Sequence, residues 1–272
     1  MEPITGWERI HRSHFDDITA LYDKIRPSYP VELFADILVH LGSSSFVRAL
    51  EIGAGTGKAT EPMLAAGVEV TAIEVGVQMS DYLRQKLSAY PKFNVITAPF
   101  EEAIIPEIDY DLIYAANAFH WVDAQIVCPK AYQLLKRNGV LALFRYNGIP
   151  QDGDPLYEEI QQAYQLYYCS HYGNSGRPTP DVYGTPEQIK HRFGCDELET
   201  YGFTNVTTKL YPWQTTYTTP EYLELLNTFS DHRQLPEANR QALHTAIFNA
   251  ITRFGGSIVT KDTYQLYMGR KT

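Results

Sequence analysis

The sequence predicts an α/β fold with a doubly wound, mostly parallel sheet. Five strand-like runs, at about 47–52, 69–74, 93–97, 110–116 and 139–145, are each separated by a stretch with helical periodicity. Strands and helices that alternate in this way form parallel sheets with right-handed crossovers. In such sheets, ligands bind beyond the carboxyl ends of the strands. We therefore expect the functional residues at those ends.

The glycine-rich segment 49–57, Ala-Leu-Glu-Ile-Gly-Ala-Gly-Thr-Gly, is the most informative stretch of the chain. An apolar run containing one acid enters a turn almost bare of side chains, and a helical segment follows. Glycines let a ligand lie against the backbone, and the amides and dipole of a following helix favour a negative group. The segment predicts a site for a nucleotide-like cofactor.

Spacing separates the cofactors that use such loops. A phosphate-binding P-loop requires Gly, four residues, then Gly-Lys-Ser/Thr, but Ile52 stands at the first glycine position and Ala59 follows the lysine. The dinucleotide fingerprint Gly-x-Gly-x-x-Gly fails because its third glycine falls on Lys58. Neither phosphate-binding pattern fits this loop.

Two acids indicate what the loop binds instead. Glu51 would repel a pyrophosphate, whereas it suits a cofactor with a free amino group, such as the methionine part of S-adenosylmethionine. Glu74 ends the β-branched run 68–74. An acid at the end of a second strand accepts hydrogen bonds from ribose hydroxyls. This second feature is common to NAD and S-adenosylmethionine sites, so it supports an adenosine ligand without choosing between the two.

The motifs ALEIGAGTGKAT, VTAIE, NVITAPFEEA, YDLIYAANAFHWVD and LLKRNGVLALF occur in that order. Together they resemble the class I S-adenosylmethionine-dependent methyltransferases, most closely the small-molecule branch called the type 11 group. The resemblance covers residues 15–146, and the segment 15–30 is similar to the N-terminal lid helix of that branch. It implies a Rossmann-like methyltransferase fold of seven strands, S-adenosylmethionine as cofactor, and methyl transfer to a small molecule.

The resemblance also implies roles for individual residues. Glu51 and the loop amides would hold the methionine part, Glu74 the ribose, and the residues after strands two and three the adenine. The lid residues would close over the cofactor, and 119–121 would form the floor of the methyl site. The implied cofactor-binding residues are Glu51, Gly53, Ala54, Gly55, Gly57, Glu74, Val75, Met79, Pro99, Phe100, Glu101, Asn117, Ala118, Arg26 and Tyr29.

Two residues are catalytic candidates, each with a structural alternative. His120 could act as a base because its ordinary pKa suits proton removal at neutral pH, or it could pack behind the cofactor. Arg145 could clamp a carboxylate substrate, or it could form a surface ion pair. Enzymes that methylate amide or base nitrogens carry Asn or Asp followed by Pro-Pro and an aromatic residue. The sequence Asn117-Ala118-Phe119 departs from that pattern.

Composition narrows the class of protein further. The 272 residues carry a formal net charge of −9, which disfavours a nucleic-acid surface. Segments apolar enough for a membrane span or a signal peptide are lacking. Cys128, Cys169 and Cys195 have no paired spacing, so neither a disulfide framework nor a metal site is expected. We expect a cytoplasmic enzyme, a monomer or a homodimer, with a small-molecule substrate as its partner.

After residue 146, the sequence predicts further core segments that are separated by helical cap insertions. Helices are predicted at 155–170, 186–201, 220–229 and 236–254, strands at 205–211 and 258–268, and a loop at 171–184. Cap tyrosines such as Tyr164, Tyr168 and Tyr172 should mostly pack, although a few could line a pocket for an organic substrate. The predicted domains are a lid at 1–30, the cofactor-binding core at 31–150, a cap at 151–185, core continuation at 186–212, a helical cap at 213–257 and the last strand at 258–272.

These patterns predict a methyltransferase that moves a methyl group from S-adenosylmethionine to a small organic acceptor. An oxygen of a carboxylate or hydroxyl group is the expected acceptor atom, reached by in-line displacement. The alternative is a non-catalytic regulatory module that binds S-adenosylmethionine or S-adenosylhomocysteine. A nicotinamide oxidoreductase is a third hypothesis, which the lysine at position 58 disfavours.

Overall fold

A computed structural model of the chain describes residues 15–42, 46–106, 109–173 and 198–272. The strands are β1 Arg48–Ile52, β2 Glu69–Glu74, β3 Phe93–Thr97, β4 Tyr110–Ala116, β5 Leu135–Gly148, β6 Phe203–Thr218 and β7 Ser257–Lys271. The α-helices are α1 Thr19–Ile25, α2 Val31–Leu41, α3 Thr60–Ala65, α4 Val77–Lys86, α5 Ala124–Leu134, α6 Pro155–Ala163, α7 Cys169–Tyr172, α8 Thr219–Leu226, α9 Ser230–Gln234 and α10 Glu237–Arg253.

The strands of these described ranges form one seven-stranded sheet in the order β3-β2-β1-β4-β5-β7-β6. The pairs β1–β2, β2–β3, β1–β4 and β4–β5 are parallel. The chain therefore extends from β1 in both directions, which creates a switch point between β1 and β4 where ligands bind in open α/β sheets. The predicted doubly wound, mostly parallel sheet is confirmed.

Side-chain alternation along the strands builds two cores. On β1, Ala49 belongs to one buried cluster and Leu50 to the other, since successive side chains on a strand point to opposite faces. Residues of α2, α3 and α4 complete the first cluster, and residues of α5 complete the second. Both faces are covered, which explains the continuous apolar character of the central strands.

The predicted helix between the third and fourth strands is wrong for the described residues there. The segment after β3 forms a turn in which the Pro99 carbonyl accepts hydrogen bonds from the amides of Glu102 and Ala103. Prolines at positions 99 and 106 leave little room for a helix, because proline removes a donor and restricts the residue before it.

Other elements differ from their predicted limits. The fifth, sixth and last strands are longer than expected. The sequence underestimates their length because the extra residues lack the apolar pattern that marks a core strand. The helix at 155–170 continues into a π-helical segment, Tyr164–Tyr168, followed by α7. The loop at 171–184 and the helix at 186–201 lie mostly outside the described residues, and Leu198–Tyr201 is a 3₁₀ helix.

Cys128 is disulfide-bonded and Cys169 is a free thiol. The expectation that the cysteines form no disulfide is therefore wrong for Cys128. Spacing along the chain does not show this, because a disulfide depends on proximity in the fold. Within the described ranges, every helix is too short or too polar to traverse a lipid bilayer.

The chain divides into two compact units. The first, here called the sheet unit, comprises Ser28–Tyr146, Tyr183–Tyr211 and Tyr264–Thr272. The second, the helical unit, comprises Met1–Pro27, Asn147–Val182 and Pro212–Thr263. A separate apolar cluster fills the helical unit, built mainly from α6, the π-helical segment, α8 and α10. The finer division into lid, cap and core segments stays a prediction.

Leu50 tests the central packing of the sheet unit. It is fully buried in β1, so Leu50→Ala should lower the free energy of unfolding by about 2–5 kcal/mol through lost burial and the cavity left behind. Val39→Ala is the control because Val39 is 78% exposed on α2, and its effect should stay within about 0.5 kcal/mol. Urea unfolding measures both, and equal losses would contradict the assigned core.

Candidate functional site

The glycine loop lies between the end of β1 and the start of α3. Gly53 has φ +69°, and a Cβ atom built there would lie 2.5 Å from the Cβ of Ala118. Gly55 has φ +56°, and a Cβ atom built there would meet nothing within 4 Å. The loop therefore approaches the end of β4 closely at Gly53 and presents an open backbone face at Gly55.

The loop amides are bonded within the protein. The N–H groups of Gly53 and Ala54 donate to the carbonyl of Ile73, at 2.8 and 3.2 Å, and the N–H of Gly57 donates to the carbonyl of Ala54 at 2.9 Å. These bonds fix the loop against β2 without help from a ligand. Donation of these amides to a cofactor stays a prediction from the resemblance.

Glu74 joins two turns at the carboxyl end of the sheet. Its Oε2 accepts a hydrogen bond from the N–H of Gly55 at 2.7 Å, and its Oε1 accepts one from the N–H of Gly76 at 2.9 Å. The side chain is only 5% exposed. Val75 next to it is half-buried, and Met79 is buried in α4. The structure thus brings the predicted ribose and adenine residues to one edge of the loop.

Glu51 is completely buried below the loop. Its Oε2 accepts hydrogen bonds from Thr60 Oγ1 at 2.6 Å and from the Tyr114 hydroxyl at 2.9 Å. Its Oε1 has no hydrogen-bond partner among the described residues. Burial raises the pKa of Glu51 to about 8, and the charge of Glu74 adds to the rise. The carboxyl group therefore keeps unused capacity for a hydrogen-bond donor or an ammonium group.

The turn after β3 is held by a lysine that the sequence did not single out. Lys130 Nζ donates to the carbonyls of Phe100 at 2.7 Å, Ala103 at 3.1 Å and Glu101 at 3.3 Å. It also lies 4.9 Å from the centroid of the Phe100 ring. Burial lowers the pKa of Lys130. Only tertiary contact reveals this role, because Lys130 lies on α5, about 30 residues along the chain from the turn.

The end of β4 is shaped by Asn117, which has φ +52°. Asparagine tolerates this left-handed conformation better than most residues. Its N–H donates to the Phe144 carbonyl at 2.8 Å, and its Oδ1 accepts from the Tyr146 N–H at 3.3 Å. His120 follows on a 3₁₀ turn, is exposed, and has its ring 4.9 Å from that of Trp121. The side chain of Asn117 is thus used to hold β5.

Arg145 and Tyr29 have partners elsewhere in the sheet unit. Arg145 Nε donates to Gln265 Oε1 on β7 at 3.3 Å. The Tyr29 ring contacts the rings of Phe144 and Tyr264, with centroids 5.1 and 5.7 Å apart. Tyr29 is therefore part of the packing at β5 and β7, and a cofactor contact for it stays a prediction.

Arg26 belongs to the helical unit. Its Nη2 donates to the Thr228 carbonyl at 2.6 Å, and its guanidinium lies 4.2 Å from the centroid of the Phe229 ring. The closing of this residue over the cofactor likewise stays a prediction. Across the described ranges, no group of three or more His, Cys, Asp or Glu side chains is placed to hold a metal ion.

The buried acid makes stability depend on pH. Because the pKa of Glu51 is raised from 4.5 to about 8, the folded chain retains a proton that the unfolded chain has lost between these values. The contribution of the Glu51 proton to the free energy of unfolding should be fully present below pH 4.5 and should be lost as the pH rises toward about 8. The slope of this loss is at most ~1.4 kcal/mol per pH unit. Glu51→Gln, neutral throughout, should show a smaller fall in urea unfolding of the ligand-free chain. The exposed Glu102→Gln is the control for net charge, and an unchanged slope in Glu51→Gln would refute the assignment.

A protein-family model described as "Methyltransferase domain" (Methyltransf_12) matches residues 50–141. The match begins within β1 and ends within β5, so it includes the glycine loop, both acids and the end of β4. This family model is not that of the type 11 group. Membership of the small-molecule, type 11 branch therefore stays a prediction.

Curated relatives and solved structures extend the likeness over more of the chain. An uncharacterized methyltransferase of Schizosaccharomyces pombe is 26% identical over 239 residues, which is 88% of this chain and 86% of the relative. An uncharacterized methyltransferase of Mycobacterium tuberculosis is 30% identical over 159 residues, which is 54% of this chain and 63% of the relative.

The structure of a Haemonchus contortus phosphoethanolamine N-methyltransferase in complex with S-adenosylhomocysteine has a TM-score of 0.55 at 14% identity. That alignment covers 98% of this chain and 60% of that one. The chain thus spans about three fifths of the length of the mycobacterial and nematode proteins. Residues 50–141 thus match a methyltransferase domain, the chain is similar over most of its length to methyltransferases, and its sheet is that of a Rossmann-like methyltransferase fold.

Proposed function

We propose that the protein transfers a methyl group from S-adenosylmethionine to an oxygen of a small organic acceptor, a carboxylate or a hydroxyl group. The observation that carries the cofactor half of the proposal is Glu51. Its buried Oε1 lacks a partner among the described residues, and the neighbouring loop is open at Gly55. An ammonium group such as that of a methionine moiety matches an unsatisfied carboxylate at this position.

The residues present fit this cofactor. Glu51 would accept a hydrogen bond from the amino group, and Glu74 would accept one from a ribose hydroxyl group. Bound S-adenosylmethionine supplies an already activated methyl group, so the protein needs neither a metal nor a covalent nucleophile. The chain's contribution is to orient the acceptor and exclude water, and positioning of this kind is worth about 7–11 kcal/mol of barrier.

Two observations disfavour an amide, nucleobase or nucleic-acid acceptor. The Asn117 side chain accepts from the Tyr146 amide, so it is engaged in holding β5 and is not arranged to grip a target amide or base nitrogen. The net charge of −9 also disfavours a nucleic-acid substrate. His120 as base and Arg145 as carboxylate clamp remain part of the proposal, each beside its packing or ion-pair alternative.

The other functions considered for the chain have less support. A non-catalytic regulatory module does not follow from the comparisons, in which the relatives carry methyltransferase names. We retain a monomer or homodimer without nucleic-acid or membrane partners. A cytoplasmic location is kept as a prediction from the sequence, although the disulfide at Cys128 is a feature more common outside the reducing cytosol.

The open face at Gly55 provides a test of the cofactor site. Gly55→Ala should weaken S-adenosylmethionine binding roughly tenfold or more, because the added methyl group occupies that face. Gly67→Ala is the matched control. Gly67 also has positive φ and open space around it, so it incurs a similar backbone strain of about 1–2 kcal/mol.

Thermal shifts measure the difference between the two variants. Ligand at 100 times its Kd stabilises by about 2.7 kcal/mol, and each kcal/mol moves Tm by roughly 2–4 °C. The control should keep the shift with S-adenosylmethionine, and Gly55→Ala should lose about half of it or more. A shift with NAD or ATP instead, or an equal shift in both variants, would overturn the assigned site.

The acceptor atom is tested by following a labelled methyl group. The full chain is incubated with methyl-labelled S-adenosylmethionine and matched small alcohols, carboxylic acids and amines, and products are identified by mass spectrometry. We expect label in methyl ethers or esters. Label confined to amines, or transferred only to protein or nucleic acid, would refute an oxygen acceptor while leaving the cofactor assignment intact.

A further inference from the structure

Tyr114 is a tyrosine of β4 whose hydroxyl group contacts an acid on β1. The side chain is completely buried, and its ring stacks on that of Phe144 with the centroids 6.2 Å apart. The hydroxyl group donates to Oε2 of Glu51 at 2.9 Å, and both residues belong to the sheet unit. Buried tyrosines usually give their hydroxyl group a hydrogen-bond partner. Here that partner is the acid below the glycine loop.

The two hydrogen-bond donors to Glu51 converge on one carboxyl oxygen. Thr60 Oγ1, on the first residue of α3, donates to Oε2 at 2.6 Å, beside the donation from Tyr114. Each carboxyl oxygen offers about two acceptor positions, so Oε2 is fully used. The other oxygen, Oε1, is buried without a partner among the described residues. A proton on the neutral carboxyl group therefore resides on Oε1, the same atom that is left for a ligand.

The surroundings of Glu51 keep that proton in place near neutral pH. Burial raises the pKa of Glu51 to about 8, the hydrogen bonds from Thr60 and Tyr114 oppose the rise, and the charge of Glu74 adds to it. The facing titratable groups are thus Tyr114 on β4 and Glu74 on β2, while α3 contributes the Thr60 hydroxyl group. Burial and the charge of Glu51 raise the pKa of Tyr114, so Tyr114 stays a donor.

A cofactor ammonium group requires the ionised form of this acid. An ammonium group has donors and no acceptor, so it cannot bond to an oxygen that holds its own proton. Hydrogen bonds from hydroxyl groups stabilise a carboxylate more than a neutral carboxyl group. The donors on Oε2 therefore favour the loss of the proton from Oε1 once a positive group lies beside it.

We propose that Tyr114 is a positioning residue for the cofactor, which holds Oε2 of Glu51 so that Oε1 receives the ammonium group of S-adenosylmethionine and releases its proton to solvent. The O–H bond of the carboxyl group breaks, and its electron pair stays on Oε1. The ammonium group keeps its three protons and donates a hydrogen bond there, while water or buffer takes the released proton. The inference rests on the proposed function and adds proton exchange at the same site.

Isothermal titration calorimetry with S-adenosylmethionine measures this proton in the full-length wild-type chain. At about pH 6.5 the free α-amino group is an ammonium group. Titrations in two buffers of different ionisation enthalpy should therefore show release of roughly one proton per cofactor bound. The control ligand, 5′-methylthioadenosine, has the adenosine but no amino acid part and should release none. Binding of S-adenosylmethionine without proton release, or equal release with both ligands, would overturn the proposal.

Tyr114→Phe removes the hydroxyl group and keeps the ring. The loss of a hydrogen bond to a charged group should weaken S-adenosylmethionine binding roughly tenfold at about pH 6.5. The ratio of the variant Kd to the wild-type Kd should shrink severalfold as the pH rises to about 9, because Glu51 is then increasingly ionised before the cofactor binds. Titration of the cofactor amine affects both proteins equally and cancels in this ratio.

Tyr110→Phe is the matched control. Tyr110 is also a buried tyrosine of β4, but it packs in the other core cluster of the sheet unit, so its Kd should stay near that of the wild type. A loss in Tyr114→Phe that is constant with pH, or an equal loss in Tyr110→Phe, would assign Tyr114 to packing alone. Should Tyr114→Phe fail to fold, Thr60→Val removes the other donor to Oε2 and should give the same pH-dependent ratio. A constant ratio in that variant rejects the proposal.

The proposed function is judged separately on the same samples. Cofactor binding by the wild-type chain with no proton release rejects the role of Tyr114 and leaves the methyltransferase function intact. Absence of binding in calorimetry, together with no thermal shift, rejects the proposed function and this inference with it.

Discussion

The burial of Glu51 is the constraint on which the site of the sheet unit depends. A carboxyl group with no exposed surface requires internal donors, and leaving a buried polar group unsatisfied costs about 1–3 kcal/mol. The donors are Thr60 from α3 and Tyr114 from β4. They fix the first helix after the glycine loop and the neighbouring strand relative to β1. The acid that we propose as the partner of a cofactor amine thus also organises the elements around it.

The glycine loop is held in place by close packing and is not a freely flexible segment. Gly53 lies so near Ala118 that no larger residue fits, and the left-handed Asn117 beside it returns a hydrogen bond to β5. Glu74 binds the loop from the opposite side. Because these contacts come from three strand ends, the open face at Gly55 is built before any ligand arrives. Preorganisation of this kind lowers the entropic cost of binding.

Local patterns predicted much of this arrangement, and tertiary contacts account for the rest. The five central strands and the helix α10 were predicted from the sequence pattern, and the glycine loop and its acids from their local motifs. The hydrogen bonds of Glu51 join residues up to 63 positions apart, which no periodicity encodes. The π-helical segment was missed because its residues read as an ordinary helix. The missing helix after β3 could have been foreseen from the two prolines that flank the turn.

The structure also explains why this loop suits S-adenosylmethionine better than a dinucleotide. In a dinucleotide site the third glycine allows close packing of helix and strand near the pyrophosphate, and here Lys58 occupies that position. Close packing occurs instead at Gly53 and Ala118, between two strand ends. A pyrophosphate would place negative charge above a buried acid, whereas an ammonium group would favour ionisation of Glu51 by offsetting the burial that raises its pKa. In the proposed site, the electrostatics of Glu51 would therefore favour a positively charged ligand group, and the glycine spacing disfavours a pyrophosphate.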